Sequence, residues 1–209
     1  MAIEITPARD KKFKHTIANT QQDVAVVLEN VHDAHNIGAV IRSCDAVGVR
    51  TIYIVDTHIQ VQEKRKIEKA SSTGVARWMD ILYFTDLDTC MSKVTKNYSE
   101  IWATHLGRES ISLYDVDLTT SCALVFGNEH AGITDEMLSF CTGNLIIPQK
   151  GMVQSLNISV ACAVTLFEAL RQRIAAGFYT DDFNMDSPLH NKMYKKFREE
   201  QLESKKPNQ

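Results

Sequence analysis

Cys122-Ala123-Leu124-Val125-Phe126-Gly127-Asn128-Glu129-His130-Ala131-Gly132-Ile133-Thr134 reads in one pass as a strand, a turn and a helix start. Five apolar residues without polar alternation are the mark of a strand buried on both faces. Gly127 stops that run and Gly132 lets the backbone turn closely. Thr134-Asp135 then opens a helix, with Asp135 suited to its first turn. The same rhythm extends in both directions. Upstream, Ala25 to Leu28, Thr51 to Val55, Trp78 to Phe84 and Glu100 to Thr104 read as extended segments, and Asn36 to Val47, closed by Gly48, and Leu87 to Asn97 as helices. Glu63 to Ala70 reads as a short helix or a loop. Downstream, Asn144 to Ile147 is a last strand, stopped by Pro148. From Ser155 to Ala176, apolar Leu156, Val160, Ala163, Val164, Phe167, Leu170 and Ile174 recur every three or four residues, which predicts one long helix. Apolar strands alternating with helices predict an α/β fold, a parallel sheet flanked by helices.

The chain of 209 residues is 44% hydrophobic and 23% charged, values that exclude collagen, low-complexity disorder and a disulfide scaffold. Its longest apolar runs fall far short of the roughly 20 residues of a membrane span, so no membrane partner is expected. The N-terminus lacks a basic start followed by an apolar stretch, and a cytoplasmic protein is the expectation. Cys44, Cys90, Cys122, Cys141 and Cys162 show no C-x-x-C spacing, and their number is odd. They read as small core hydrophobes, without zinc or disulfides. Residues 1–20 form a polar, basic helical extension and 177–209 a basic tail or helix interrupted at Pro188, leaving 21–176 as the main domain.

The net charge of −3 hides an uneven distribution. Residues 9–14, 63–69 and 192–206 together hold fourteen basic and six acidic residues, leaving nine basic and twenty acidic elsewhere. A basic rim on an acidic body suits phosphate binding at selected edges, although charged helix faces are also the ordinary state of a surface.

In an open parallel sheet, sites form beyond the carboxyl ends of the strands. The segments richest in Asn, Gly, Ser and His, 29–38, 127–134 and 148–157, all follow strands. In the first, Asn36 reads as a helix cap. His32 and His35 stand three apart, but no third ligand is near and no metal is expected. Arg42 stands in an apolar helix, so it reads either as half of an ion pair or as a site residue, because burying it alone costs several kcal/mol. The second segment fits neither a G-x-G-x-x-G fingerprint nor a Walker loop. The third offers a turn and then helix turns presenting Ser155, Asn157 and Ser159, equally a polar ligand site and a plain capped loop.

Taken together and in order, these segments resemble the SpoU-TrmH class of knotted RNA methyltransferases within the SPOUT superfamily, over about residues 24–176. Asn30, Asn36 and Arg42 are similar to that family's first motif. Gly127, Asn128, Glu129 and Gly132 are similar to its second, and Ile147 to Ala161 to its third. The resemblance implies a deep C-terminal trefoil knot near 127–165, which connection rules alone would not anticipate. It implies a homodimer, with the helix 155–176 partly in the interface. It also implies S-adenosyl-L-methionine as cofactor, bound by Thr104, His105, Gly127, Asn128, Ile147, Met152 and Leu156. The catalytic set would be Arg42, Asn36, Glu129, Ser155 and Asn157.

Within the class, Gly151-Met152-Val153-Gln154-Ser155-Leu156-Asn157 is most similar to enzymes that methylate the 2′-hydroxyl of guanosine 18 in the tRNA D-loop. Ribosomal-RNA relatives usually carry Gly-Ser-Val-Ser-Ser-Leu-Asn there and a further N-terminal RNA-binding domain, for which no room is read before Ala25. Arg9, Lys11, Lys12, Lys192, Lys195, Lys196 and Arg198 would hold the tRNA. On this reading Arg42 clamps the neighbouring phosphate and stabilises the forming alkoxide, with phosphate or water taking the proton, since a free guanidinium stays protonated above pH ~12. The alternatives are ribosomal RNA or another tRNA position as substrate, and a non-catalytic RNA-binding protein on the same fold.

Overall fold

The computed structural model describes residues 5–57, 74–107 and 109–203. In chain order its elements are α1 (Pro7–Ala18), β1 (Gln21–Glu29), α2 (Ala34–Ala46), β2 (Val49–Val55), β3 (Asp80–Phe84), α3 (Leu87–Asn97), β4 (Glu100–Thr104), β5 (Ile111–Ser112), β6 (Cys122–Phe126), α4 (Asp135–Leu138), β7 (Gly143–Ile146), α5 (Ile158–Ala175) and α6 (Pro188–Glu203). They fall into two compact units, residues 21–176 and the two chain ends, 1–20 with 177–209.

The larger unit is α/β. All seven strands form one sheet in the order β3-β2-β1-β6-β4-β7-β5, and every pairing is parallel. Alternate residues of β1 feed opposite faces, as the period of two requires. Val24, Val26 and Leu28 join a core with Ile37, Val40, Ile41 and Cys44 of α2 and Cys162, Leu166 and Ala169 of α5. Ala25 and Val27 join a second core with Leu87, Cys90, Met91 and Val94 of α3. β7 fits beside β4 because residue 143 is glycine: a Cβ there would stand 2.5 Å from the Trp102 ring. Four of the five cysteines are buried and all are free. Burial pushes the Cys90, Cys122 and Cys141 thiols up to about 12, so none is a ready nucleophile.

Several boundaries differ from those expected. Trp78 belongs to a 3-10 turn, Ala76–Trp78, and the strand begins only at Asp80. The last helix of the domain starts at Ile158 rather than Ser155, because Asn157 caps it, accepting from the Ser159 N–H. Pro188 opens α6 instead of interrupting it, as a residue without an N–H can at a helix start. Glu63 to Ala70 lies outside the described residues.

The apolar repeat of α5 does not mark the helix's buried face. Ile158, Cys162, Leu166 and Ala169 point inward, whereas Val160, Phe167 and Ile174 are 47%, 51% and 57% exposed. These three stand seven residues apart and form one outward stripe.

One buried cation ties the sheet's lower end together. Arg173 of α5 donates twice to the Asp23 carboxylate at 2.8 Å, and to Gln21 Oε1 and the Leu118, Thr119 and Thr120 carbonyls. Five acceptors satisfy a guanidinium that is 1% exposed, offsetting its desolvation.

In the terminal unit α1 packs on α6. Phe13 and Phe197 meet edge to face at 5.4 Å, the Tyr194 hydroxyl donates to Asp10, and Lys14 pairs with Asp10 at 2.7 Å. Hydrogen bonds from Lys14 and Tyr194 hold the Asp10 carboxyl below its ordinary range. That contribution to folding is present near neutral pH and is lost as pH falls through the lowered value. Lys11, Lys12, Lys192, Lys195 and Arg198 are exposed, while Arg9 and Lys196 are half-buried. No described helix is long and apolar enough to cross a membrane.

Replacing Arg173 by Met keeps the volume but strips the Asp23 carboxylate, the buried Gln21 and three backbone carbonyls of their donor. The expected loss is about 3 kcal/mol or more, read as a lower urea midpoint at unchanged slope. A midpoint within error of the parent would contradict the assigned role.

Candidate active site

Parallel register brings the carboxyl ends of β1, β6, β4 and β7 side by side, and the loops leaving them build the site. The first loop begins at Asn30, whose φ of 53° turns the chain off β1 in a left-handed conformation that Asn tolerates. Asn30 Oδ1 accepts from the Thr57 N–H at 3.0 Å, and its carbonyl accepts from Asn128 Nδ2 at 2.8 Å. One residue thereby joins the ends of three strands.

The second loop, 127–133, folds back on itself. Asn128 and Gly132 exchange two backbone hydrogen bonds at 3.0 and 2.9 Å, and Asn128 Oδ1 accepts from the His130 and Ala131 N–H groups. A Cβ at Gly127 would stand 2.2 Å from the Gly132 carbonyl oxygen, so only glycine permits this closure. Glu29, buried at the end of β1, accepts from the Thr134 N–H at 2.9 Å and from its hydroxyl at 2.5 Å. Thr134 in turn caps α4. Neither Glu29 nor Thr134 was expected as a site residue. An acidic residue closing an otherwise apolar strand was the available signal for Glu29.

The helix cap on α2 is not Asn36. Asp33 caps it, accepting from the His35 N–H at 2.8 Å, and Asn36 stands inside the first turn. Its amide is therefore free for other work. Asn36 Nδ2 donates to Glu129 Oε1 at 2.5 Å, and Asn36 Oδ1 accepts from Asn157 Nδ2 at 3.1 Å. The direction of this chain is fixed at its far end. Asn157 Oδ1 accepts the Ser159 N–H at 2.9 Å and the Ser159 hydroxyl at 2.6 Å, so its NH₂ must face Asn36. Asn36 then presents its oxygen to Asn157 and its NH₂ to the carboxylate. The three polar segments of the sequence meet in this one chain of hydrogen bonds.

Arg42 stands apart from it. It is exposed rather than buried, so the burial argument for a paired guanidinium does not apply. Among the described residues it makes no ion pair, and no hydrogen bond links it to Asn36, Glu129 or Asn157. It lines a cleft of about 530 Å³ to which α2 also gives Ala34, His35, Gly38 and Ala39. His32 sits 2.6 Å from Asp56. No group of three or more His, Cys, Asp or Glu among the described residues is arranged to hold a metal ion.

Of the residues expected at the cofactor, Thr104 and His105 leave β4, Gly127 and Asn128 leave β6, and Ile147 leaves β7, all on neighbouring strands. Thr104 Oγ1 donates to the Val125 carbonyl at 3.0 Å. Leu156 is half-buried, whereas Met152 and Ser155 are exposed in the loop before Asn157. Ser155 makes no hydrogen bond among the described residues. None of the seven lines the Arg42 cleft. Gln149, not expected in the site, carries a buried Oε1 with no donor beside it.

Comparison with known proteins finds relatives in both sequence and fold. The sequence profile of the SpoU rRNA Methylase family matches residues 23–167. A tRNA (guanosine(18)-2′-O)-methyltransferase of Thermus thermophilus is 37% identical over 190 residues, 91% of this chain and 95% of that protein. The crystal structure of the A. aeolicus TrmH/SpoU tRNA modifying enzyme superposes with a TM-score of 0.77 at 31% identity, covering 93% of this chain and 96% of that one. The SpoU methyltransferase AviRb from Streptomyces viridochromogenes, in complex with the cofactor AdoMet, superposes with a TM-score of 0.64 at 25% identity, over 75% and 63% of the two chains.

The cap assignment is directly testable by denaturation. Asp33→Ala should cost about 1 kcal/mol, while Asp33→Asn, which keeps a capping acceptor, should cost little. A stability of Asp33→Ala within error of the parent would remove Asp33 as the cap.

Proposed function

The chain belongs to the SpoU methylase family, and on that premise we propose that it methylates a tRNA ribose 2′-hydroxyl, at guanosine 18 of the D-loop, with S-adenosylmethionine as methyl donor. The observation that carries the reading is the Glu129–Asn36–Asn157 chain, which unites the family's three motif segments, with an exposed arginine on the helix that carries Asn36. The guanosine-18 assignment is supported by a relative whose whole length this chain nearly spans.

The residues at the strand ends fit the cofactor. Gly127 lets the 127–133 backbone close on itself at the strand ends, and the buried, donorless Gln149 Oε1 beyond β7 suits an amino group. When bound, S-adenosylmethionine supplies an activated methyl on a good leaving group, so the protein's tasks are alignment, charge and the proton. Thr104, His105, Gly127, Asn128, Ile147, Met152 and Leu156 would hold it. Arg42 would clamp the phosphate next to the acceptor ribose and stabilise charge developing on the 2′-oxygen. Asn36, fixed at both ends, would orient those groups, with Glu129, Asn157 and Ser155 shaping the surrounding loops.

Two architectural features belong to the same reading. β7 lies between β4 and β5, which only six residues separate in sequence. A strand inserted between two so briefly joined supports a chain threaded through their connection, the deep knot near 127–165. The outward stripe of Val160, Phe167 and Ile174 supports a homodimer, because a second copy would remove it from water. Lys11, Lys12, Lys192, Lys195 and Arg198, with the half-buried Arg9 and Lys196, give the terminal unit a basic surface for RNA phosphates. The 1–20 extension and the 177–209 tail would thus serve the 21–176 transferase domain in the cytoplasm.

The test is methyl transfer from labelled S-adenosylmethionine to unmodified tRNA transcripts, with the methylated nucleotide mapped. We expect a 2′-O-methyl group on guanosine 18, and a fall of about 10²–10³ in rate for Arg42→Ala. Transfer to another RNA or position would refute the substrate, and near-normal turnover of Arg42→Ala would refute that residue's role. Affinity for tRNA should fall with salt. Charge reversal at Lys11, Lys12, Lys195 and Lys196 should weaken it further without changing cofactor affinity, and an unchanged tRNA affinity would dismiss the basic surface.

A further inference from the structure

The reaction must remove a proton from the 2′-hydroxyl, and none of the side chains assigned so far accepts it. A guanidinium is a permanent cation with no acceptor. The side-chain amides of Asn36 and Asn157 are not bases, and Glu129, which holds the Asn36 NH₂ through Oε1, does not line the Arg42 cleft. The Arg42 cleft holds one further polar side chain among the described residues that line it, His35.

His35 and Arg42 are seven residues apart on α2, two turns within about 20°, so they share one helix face. Their Cα atoms lie about 10 Å apart along the axis. Helical side chains lean toward the N-terminus, which carries the long arm of Arg42 back toward His35. Between them the helix lines the cleft with Gly38, Ala39 and Ile41, none of them polar. A Cβ added at Gly38 would meet nothing within 4 Å, so the space above it is open. The cleft is an apolar saddle, open above Gly38, with a permanent cation at one end and an imidazole at the other. A ribose with its phosphate seated there would meet both.

We propose that His35 is a catalytic residue of this saddle, accepting the 2′-hydroxyl proton while Arg42 holds the adjoining phosphate. The proposal rests on the methyl-transfer reading above. In the step, the O2′–H bond breaks and its proton passes to a neutral imidazole nitrogen. The oxygen lone pair forms the new O–CH₃ bond, and the electron pair of the broken S–CH₃ bond goes to sulfur. Neutral hydroxyl, neutral imidazole and sulfonium become ether, imidazolium and thioether, so charge and atoms balance. Among the described residues the charged groups near His35 are few. Asp33 accepts its backbone N–H, Arg42 shares its face, and Glu129 reaches α2 through Asn36. His32 of the same loop is taken by Asp56. Gly74, Val75 and Ala76, the other described part of the lining, carry no titratable side chain.

The experiment compares the parent, His35→Gln and His35→Asn in single-turnover methyl transfer across pH, at saturating tRNA and cofactor. Binding of tRNA to the cofactor-free proteins and binding of the cofactor are measured in parallel. The parent rate should rise with pH through one ionisation that both variants lack. Both variants should lose about 10²-fold in rate, with tRNA and cofactor affinities within about threefold of the parent. A variant that keeps the parent rate and pH profile would overturn the proposal. So would a loss confined to tRNA affinity, which would make His35 a phosphate contact. If the parent methylates an RNA other than tRNA, the comparison is run on that RNA, where loss of the ionisation supports His35 although the substrate assignment has failed. A parent inactive on every RNA would overturn both.

Discussion

An amide side chain has one donating and one accepting end, and Asn36 uses both. Its NH₂ is held by the Glu129 carboxylate and its oxygen by the Asn157 NH₂, whose own orientation is set by the cap on α5. The partners lie 93 and 121 residues away in sequence. Only a sheet that sets the ends of β1, β6 and β7 close together lets such distant loops share one amide. Reversing either amide would place donor against donor, so the arrangement selects a single register of the three loops.

The two ends of the sheet have different tasks. At the amino ends of β1 and β6, Arg173 satisfies Asp23, Gln21 and three carbonyls and holds strand starts and helix end in one place. At the carboxyl ends the backbone leaves regular structure, through Asn30 in a left-handed turn and Gly127 under its own loop. Those turns are held by side chains to backbone: Asn30 to Thr57, Asn128 to Asn30, and Glu29 to Thr134. The sheet forms a rigid base on which irregular loops can present polar groups, the usual division in parallel α/β folds.

Local pattern made some of this legible and left the rest hidden. The strands Glu100–Thr104 and Cys122–Phe126 and the helix Leu87–Asn97 have the bounds that their apolar runs and flanking polar residues imply. The three polar loops were visible because they follow strands. Periodicity could not tell which face of α5 is buried, since Val160, Phe167 and Ile174 are as apolar as the residues that point inward. Composition made Arg42 look like a buried cation, while the buried cations are Arg50 and Arg173, the latter satisfied by partners far off in sequence that no local window shows. Asn36 and Asp33 are both good capping residues, and only the backbone decides between them. Strand order, with β7 between β4 and β5, is a long-range property that no local window contains.

The claim that one hydrogen-bonded chain organises the site is tested most directly by a double-mutant cycle. Asn36→Ala, Asn157→Ala and the pair would be compared in single-turnover methyl transfer, with folding checked by denaturation. If the two amides act through each other, the double variant should be about as slow as the slower single, a coupling of about 1–3 kcal/mol. Additive losses would mean that Asn36 and Asn157 contribute independently, and the three loops would then need another account of what holds them in register.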